Sequence, residues 1–222
     1  MQAQGWVINN TIARFEIGPY RNFVYLVLDW PRKKAAVVDP QADLKPLLAG
    51  FAEYGFDLES ILITHSHADH VAGVPELMKR YPPVPVFIHE LEMPRLHGFI
   101  SKKSVLRAIS DQESIRVGSL TLTVLHTPGH SSGECSFFLD GDPPYLFSGD
   151  TIFIRDCGRT DLPTGSTAQM FESLQRLKKL PPHTVILPGH HYAPESTTTL
   201  ERELKESLPF LCQTVEELEA LP

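Results

Sequence analysis

Three histidines and an aspartate, His65, His67, Asp69 and His70, crowd into six residues of this chain in the run THSHADH. The run follows an apolar stretch, ILIT, and precedes one whose apolar residues recur at helical spacing to about Arg80. That order commits the region to strand, polar loop and helix, with the loop at the carboxyl end of a sheet, where the sites of α/β folds gather. Side chains at positions i, i+2, i+4 and i+5 of a tight loop diverge enough to serve two neighbouring cations. Neutral imidazoles with a carboxylate suit Zn, Fe or Mn, and the lack of cysteine in the run speaks against a closed structural zinc site.

The flanking chain supplies the rest of an α/β pattern. RNFVYLVLD and, after the turn PRKK, AAVVDP read as a hairpin of two strands that opens the fold. Residues 42–54 carry Leu44, Leu47, Leu48 and Phe51 at helical spacing, with Pro46 in the first turn and Gly55 as the stop. VPVFIH is a further strand, residues 95–112 have little pattern, and SIRV, LTLTVLH, CSFFLD and YLFSG are successive strands broken by Gly, Pro and Asp. A helix from about Thr167 to Leu180 starts on a Ser166/Gln169 capping box and stops at Pro181-Pro182. TVIL is the last strand, and the chain after His190 reads as amphipathic helix. One domain over residues 1–222, with a short helical extension from about 193, fits a length of 222 residues.

Composition narrows the partners. Hydrophobic residues at 42% and charged residues at 21% are those of a globular chain, which excludes disorder. The balance of 20 basic against 27 acidic residues, a net charge of -7, speaks against nucleic acid and for small molecules. Cys135, Cys157 and Cys212 are odd in number and widely spaced, so no disulfide framework is indicated and a reducing compartment fits. Without a leader pattern at Met1 or a run of 18 apolar residues, the expectation is a cytoplasmic protein with no membrane partner. A homo-oligomer is compatible with all of this.

Three more polar residues sit at strand ends: His130 in HTPGH, Asp150 in SGD and His190 in LPGH. Gly129 and Gly189 each turn the chain just before a histidine. Singly, these are ordinary loop residues; together, five His and two Asp from four strand ends can hold two metals with open positions between them.

THSHADH, TPGH, SGDTIF, CGRTD and PGH, in that order over about residues 15–210, make the chain resemble the metallo-β-lactamase-fold hydrolases, above all their glyoxalase II-like and persulfide-dioxygenase-like branch. The resemblance implies an α/β fold, a four-layer αβ/βα sandwich of two mixed sheets with helices outside. It implies His65, His67 and His130 on one metal, Asp69, His70 and His190 on the second, and Asp150 bridging. Asp150 stands where the zinc β-lactamases of this fold place Cys or Ser, which points away from antibiotic hydrolysis. Only 39 residues separate Asp150 from His190, too few for the insertion of the nucleic-acid-processing relatives.

Two chemistries follow. The first is hydrolysis of a thioester, an acyl-glutathione or related acyl-thiol, by a hydroxide bridging two divalent ions, Zn or mixed Fe/Zn, with Asp69 orienting it and Asp150 bridging. The second is a mononuclear Fe(II) dioxygenase acting on glutathione persulfide, its two-His-one-carboxylate set falling on His65, His130 and Asp150. A non-catalytic binding module that keeps the fold is the third reading, and the complete set of seven ligand types speaks against it. Arg159, near the Asp150 loop, is the candidate for a substrate carboxylate. Cys157 is read as a small buried residue, and His126 and His191 as neighbours of ligands. His89, His97 and His183 have no motif context. The 32 residues after His190 are short for the C-terminal helical domain of glyoxalase II, which leaves a smaller acyl-thiol, or one on coenzyme A or a carrier protein, open. Phe99, Lys102 and Lys103, within the stretch 94–112, are candidates to cover the pocket.

Overall fold

The structure is a computed structural model that describes residues 6–96, 100 and 105–222. It divides into two compact units, residues 1–109 with 114–122, and residues 110–113 with 123–222. The segment holding His97, Phe99, Lys102 and Lys103 lies outside the described residues.

The first unit is built on a seven-stranded sheet in sequence order: β1 (Trp6–Asn9), β2 (Ile12–Ile17), β3 (Asn22–Asp29), β4 (Lys34–Val38), β5 (Asp57–Leu62), β6 (Val86–His89) and β7 (Leu106–Ile109). It is antiparallel through β4 and parallel from β4 to β7. Two strands therefore precede the expected opening hairpin, and the Asn10-Thr11 turn between WVIN and IARFEI is the signal for them. β3 is buried along its whole length, as its unbroken apolar run requires of a central strand.

The helix Lys45–Tyr54 carries Pro46 in its first turn and ends at Gly55, whose φ of 68° closes the Gly55 N–H on Phe51 O at 2.9 Å. Leu47 and Phe51 bury its apolar face against Val24, Leu26, Ile61 and Ile63. The helix expected to run to Arg80 is broken into Ala68–Val71 and Val74–Arg80. The break falls at Gly73, whose N–H bonds Pro40 O at 2.8 Å and whose Cβ, if present, would stand 2.5 Å from Gln41 O. Backbone meets backbone there, so only glycine fits.

The second sheet has six strands in the order β8 (Ser114–Val117), β9 (Leu120–His126), β10 (Cys135–Leu139), β11 (Tyr145–Gly149), β14 (Val185–Pro188) and β15 (Thr198–Thr199). A separate hairpin, β12 (Ile152–Phe153) with β13 (Asp156–Cys157), follows β11 directly. β10–β11 and β14–β15 are antiparallel and β11–β14 parallel, so this sheet is mixed like the first. The helix Thr167–Leu177 starts where Ser166 Oγ accepts from Gln169 N and ends three residues short of Leu180, its last turns tightening toward Pro181. Met170, Leu174 and Leu177 pack on Leu146, Ile186 and Leu200 in the core of this unit. After β15 come three short helices, Leu200–Glu206, Leu208–Leu211 and Val215–Glu219. Among the described residues no helix is long and apolar enough to cross a membrane.

The first of these helices is tied to the β12–β13 turn. Arg155 takes a left-handed φ of 63° and donates its N–H to the buried Glu203 Oε2 at 2.7 Å, while its guanidinium forks onto Glu195 at 2.9 and 3.2 Å. Arg202 adds a third bond to Glu195 at 2.9 Å. Arg155 foremost, then the backbone and Arg202, hold the Glu195 carboxyl down to about 2 from its ordinary 4.5. A carboxyl depressed on folding stabilises above its unfolded value and loses that contribution as pH falls through its folded one. Glu195→Gln is therefore expected to unfold at a lower temperature than the parent at pH 7, with the gap closing between pH 4.5 and about 2. Thermal unfolding across that range checks it; a gap independent of pH would show that the carboxylate is not its source.

Candidate metal centre

In the first unit β4 and β5 run parallel with Val38 opposite Leu62, so Asp39 and Thr64 leave the sheet at the same edge. Asp39 turns there with a φ of 51° and is buried. Its carboxylate accepts from Thr64 N at 2.8 Å, Thr64 Oγ1 at 2.6 Å and His70 Nδ1 at 3.0 Å. Thr64 has one hydroxyl proton and gives it to Asp39, so its oxygen accepts from His65 Nδ1 at 3.1 Å. The single helical turn Ala68–Val71 then swings His70 back beside His65, with ring centroids 4.2 Å apart, and His67 lies 4.6 Å from His65. Asp69 is held by Asn22, whose Nδ2 donates to Asp69 Oδ2 at 2.8 Å, and that same oxygen lies 3.6 Å from His70 Nε2. Behind the loop the buried Glu92 accepts from Ser66 N at 3.0 Å and from the Ser66 hydroxyl.

The second unit brings His130, Asp150 and His190 together. β11 and β14 run parallel with Gly149 opposite Pro188, which sets Asp150 and His190 at one sheet edge. Asp150 Oδ2 lies 3.5 Å from His130 Nε2 and 3.4 Å from His190 Nε2, with all three side chains buried. His130 Nδ1 meets Arg159 O at 2.8 Å. Gly129 carries a φ of 149° and lies against the helix Thr167–Leu177, where a Cβ would stand 2.4 Å from Met170 Cα. The Tyr192 ring stacks on His190 at 4.7 Å and 10°, with Phe153 edge-on to both. Asp150 N donates to the buried Glu134 Oε1 at 2.6 Å.

These hydrogen bonds fix the tautomers. A carbonyl oxygen only accepts, so His130 carries its proton on Nδ1, and the carboxylate of Asp39 demands the same of His70. Both therefore turn an Nε2 lone pair toward a carboxylate oxygen, His130 toward Asp150 and His70 toward Asp69, at 3.5 and 3.6 Å. With the ring neutral two acceptors face each other in each pair, and a cation, whether a bound metal or the ring's own second proton, makes the contact favourable. A histidine whose Nδ1–H is tied to a carboxylate, hydroxyl or carbonyl is also how proteins orient an imidazole toward a metal. The donor set of imidazoles and carboxylates thus fits divalent zinc, iron or manganese.

The other expected residues fall as follows. Arg159 makes a bidentate pair with Asp161 at 2.6 Å for both bonds and is exposed; its carbonyl, rather than its guanidinium, contacts a predicted ligand. Cys157 is half-buried, and burial, with Asp156 next, pushes its thiol up to about 12, so it is no nucleophile near neutral pH. His126 Nε2 meets Ser132 O at 3.0 Å, His89 Nδ1 accepts from Leu91 N at 3.3 Å, His191 is half-buried and His183 is exposed. Sequence reasoning missed Asp39, Asn22, Glu92 and Glu134. Asp39 alone carries a signal, an acid closing the apolar strand AAVVDP.

The Metallo-beta-lactamase superfamily matches residues 17–190. A hydroxyacylglutathione hydrolase of Synechococcus sp. is 37% identical over 176 residues, 77% of this chain; the chain spans 65% of that relative's length. Among solved structures, ETHE1 from Myxococcus xanthus aligns with a TM-score of 0.81 at 27% identity, over 95% of this chain and 92% of its own. TTHA1623 in a di-iron-bound form aligns with a TM-score of 0.74 at 31% identity, over 87% and 98%.

Proposed function

This chain belongs to the metallo-β-lactamase superfamily, and from that premise we propose that it is a metal-dependent thioester hydrolase of the glyoxalase II-like type. In this reading the two units act as one domain. His65, His67 and His130 would hold one divalent ion, Asp69, His70 and His190 a second, and Asp150 would serve both. The observation that carries the reading is the pairing of Nε2 lone pairs with carboxylate oxygens at His70–Asp69 and His130–Asp150. The identity to a hydroxyacylglutathione hydrolase supports the thioester.

Divalent ions held there would supply Lewis acidity, which lowers the pKa of a bound water toward neutrality and polarises a carbonyl. The chain does the rest. Asp69, fixed by Asn22 at 2.8 Å, orients the attacking water and takes its proton. A thiol leaves with a pKa of about 8.5, so no general acid is required, and the site contains ligands and their supports only. Arg159 spends two of its five N–H donors on Asp161 and lends the others to a carboxylate of the glutathione moiety. The likeness to ETHE1 supports the second reading, a mononuclear Fe(II) persulfide dioxygenase on His65, His130 and Asp150, while the likeness to a protein solved with two irons fits two metals and leaves iron as well as zinc open for either reading.

Elemental analysis of protein purified without added metal or chelator is the first test. About two zinc or mixed divalent ions per chain, with thiol release from acyl-glutathiones or acyl-coenzyme A that His67→Ala abolishes, is the expected result. Thiol release unaffected by His67→Ala would overturn it. One iron per chain, with oxygen uptake dependent on glutathione persulfide, would move the assignment to the dioxygenase.

A further inference from the structure

Glu134 is an odd residue to find where it is. It is fully buried just ahead of β10, at the end of the loop that carries His130, and its side chain accepts the backbone N–H of Asp150 at 2.6 Å. A neutral oxygen would satisfy a backbone N–H at far lower desolvation cost than an ionised carboxylate. The main chain around it is equally engaged: Thr127 N donates to Glu134 O at 2.8 Å, and Thr151 Oγ1, next to Asp150, meets Thr127 Oγ1 at 3.0 Å. Glu134 therefore joins the loop that carries His130 to the strand end that carries Asp150.

We propose that Glu134 is a positioning residue for Asp150: its carboxylate, bonded to the Asp150 N–H, fixes the backbone from which Asp150 reaches His130 and His190, and so sets how tightly that half of the site holds a divalent cation. The inference rests on the metal-centre reading above. Outer partners of this kind change metal affinity by about 10- to 100-fold when removed.

The test is zinc affinity of the full chain, by competition with a chromophoric chelator, alongside the visible spectrum of the cobalt-substituted protein and thermal unfolding without metal. Glu134→Ala is expected to bind zinc about 10- to 100-fold more weakly and to alter the cobalt bands. Glu134→Gln keeps an acceptor oxygen at the same reach and is expected to recover most of the affinity. Glu134→Ser replaces the alanine variant if that one does not fold. A folded Glu134→Ala with parental affinity and cobalt spectrum overturns the proposal, and so does Glu134→Gln binding as weakly as Glu134→Ala, since the hydrogen bond would then not be what matters. Parental protein that takes up no zinc or cobalt at all removes the metal-centre reading, and the proposal with it, which separates the two failures.

Discussion

Asp150→Ala is expected to lose both bound metal and turnover, with thiol release falling by about three orders of magnitude or more, because it removes the nucleophile-activating term altogether. The size of the effect follows from where the carboxylate stands. Asp150 Oδ2 is the oxygen that both His130 and His190 face, at 3.5 and 3.4 Å, so its loss takes the shared oxygen from both imidazoles at once. Neighbouring histidines cannot compensate, because His130 is pinned through Nδ1 to Arg159 O at 2.8 Å. The fold should survive. The main-chain bond from residue 150 to Glu134 does not depend on the Asp150 side chain, and in metal-free protein the deleted carboxylate is a buried charge beside acceptors. Metal-free Asp150→Ala is therefore expected to unfold at the parental temperature or above it, whereas the parental protein alone gains stability on adding zinc, by linkage. Elemental analysis, unfolding with and without zinc, and thiol release check the three parts. Asp150→Ala with parental metal content would remove Asp150 from the ligand set.

Much of this candidate site is legible in the sequence because its residues are local or sit at strand ends. His65, His67, Asp69 and His70 share one loop, and a loop between an apolar strand and a helix has few places to go. His130, Asp150 and His190 each follow an apolar run, so the sheet that the runs form delivers them to its edge. What stays hidden is whatever depends on two remote segments meeting. Asp39 supports His70 and, through Thr64, His65, across separations of 31 and 25 residues, and Asn22 reaches Asp69 across 47. Periodicity says which face of a strand is buried but not which side chain waits opposite it. The divided helix after His70 has the same cause. Its apolar spacing is continuous and Pro75 is the one local signal of a break, but that the chain turns at Gly73 is set by the carbonyls of Pro40 and Gln41, brought up by the neighbouring segment. Glu134 is hidden for another reason: its partner is a backbone N–H, and no residue type advertises that.

Gly158 carries the second large effect. The CGRTD run suggests Arg159 as its working residue, yet the glycine just before it is a closer fit than Gly129 or Gly165. A Cβ on Gly158 would stand 1.9 Å from Asp150 O, and 3.1 Å from both Asp150 C and His130 Cβ. Two of these are main-chain atoms, so no rotamer change relieves the clash and the 156–161 segment must move away. Arg159 O is one residue further on, and it is the atom that orients His130. Gly158→Ala is thus expected to cost about 3 kcal/mol of stability from overpacking. It should also weaken zinc binding by about 10- to 100-fold, the range seen when an outer partner of a ligating histidine is lost. Gly158→Val should be worse on both counts. Gly50→Ala is the matched control, since nothing lies within 4 Å of a Cβ there and the position is helical; it is expected to gain about 0.4–1 kcal/mol. Denaturant unfolding of the metal-free proteins and zinc titration of each give the two quantities. If Gly158→Ala matched the parent in both, the contact between the CGRTD segment and Asp150 would play no part in shaping the centre, and the weight of that motif would fall back on the Arg159 side chain.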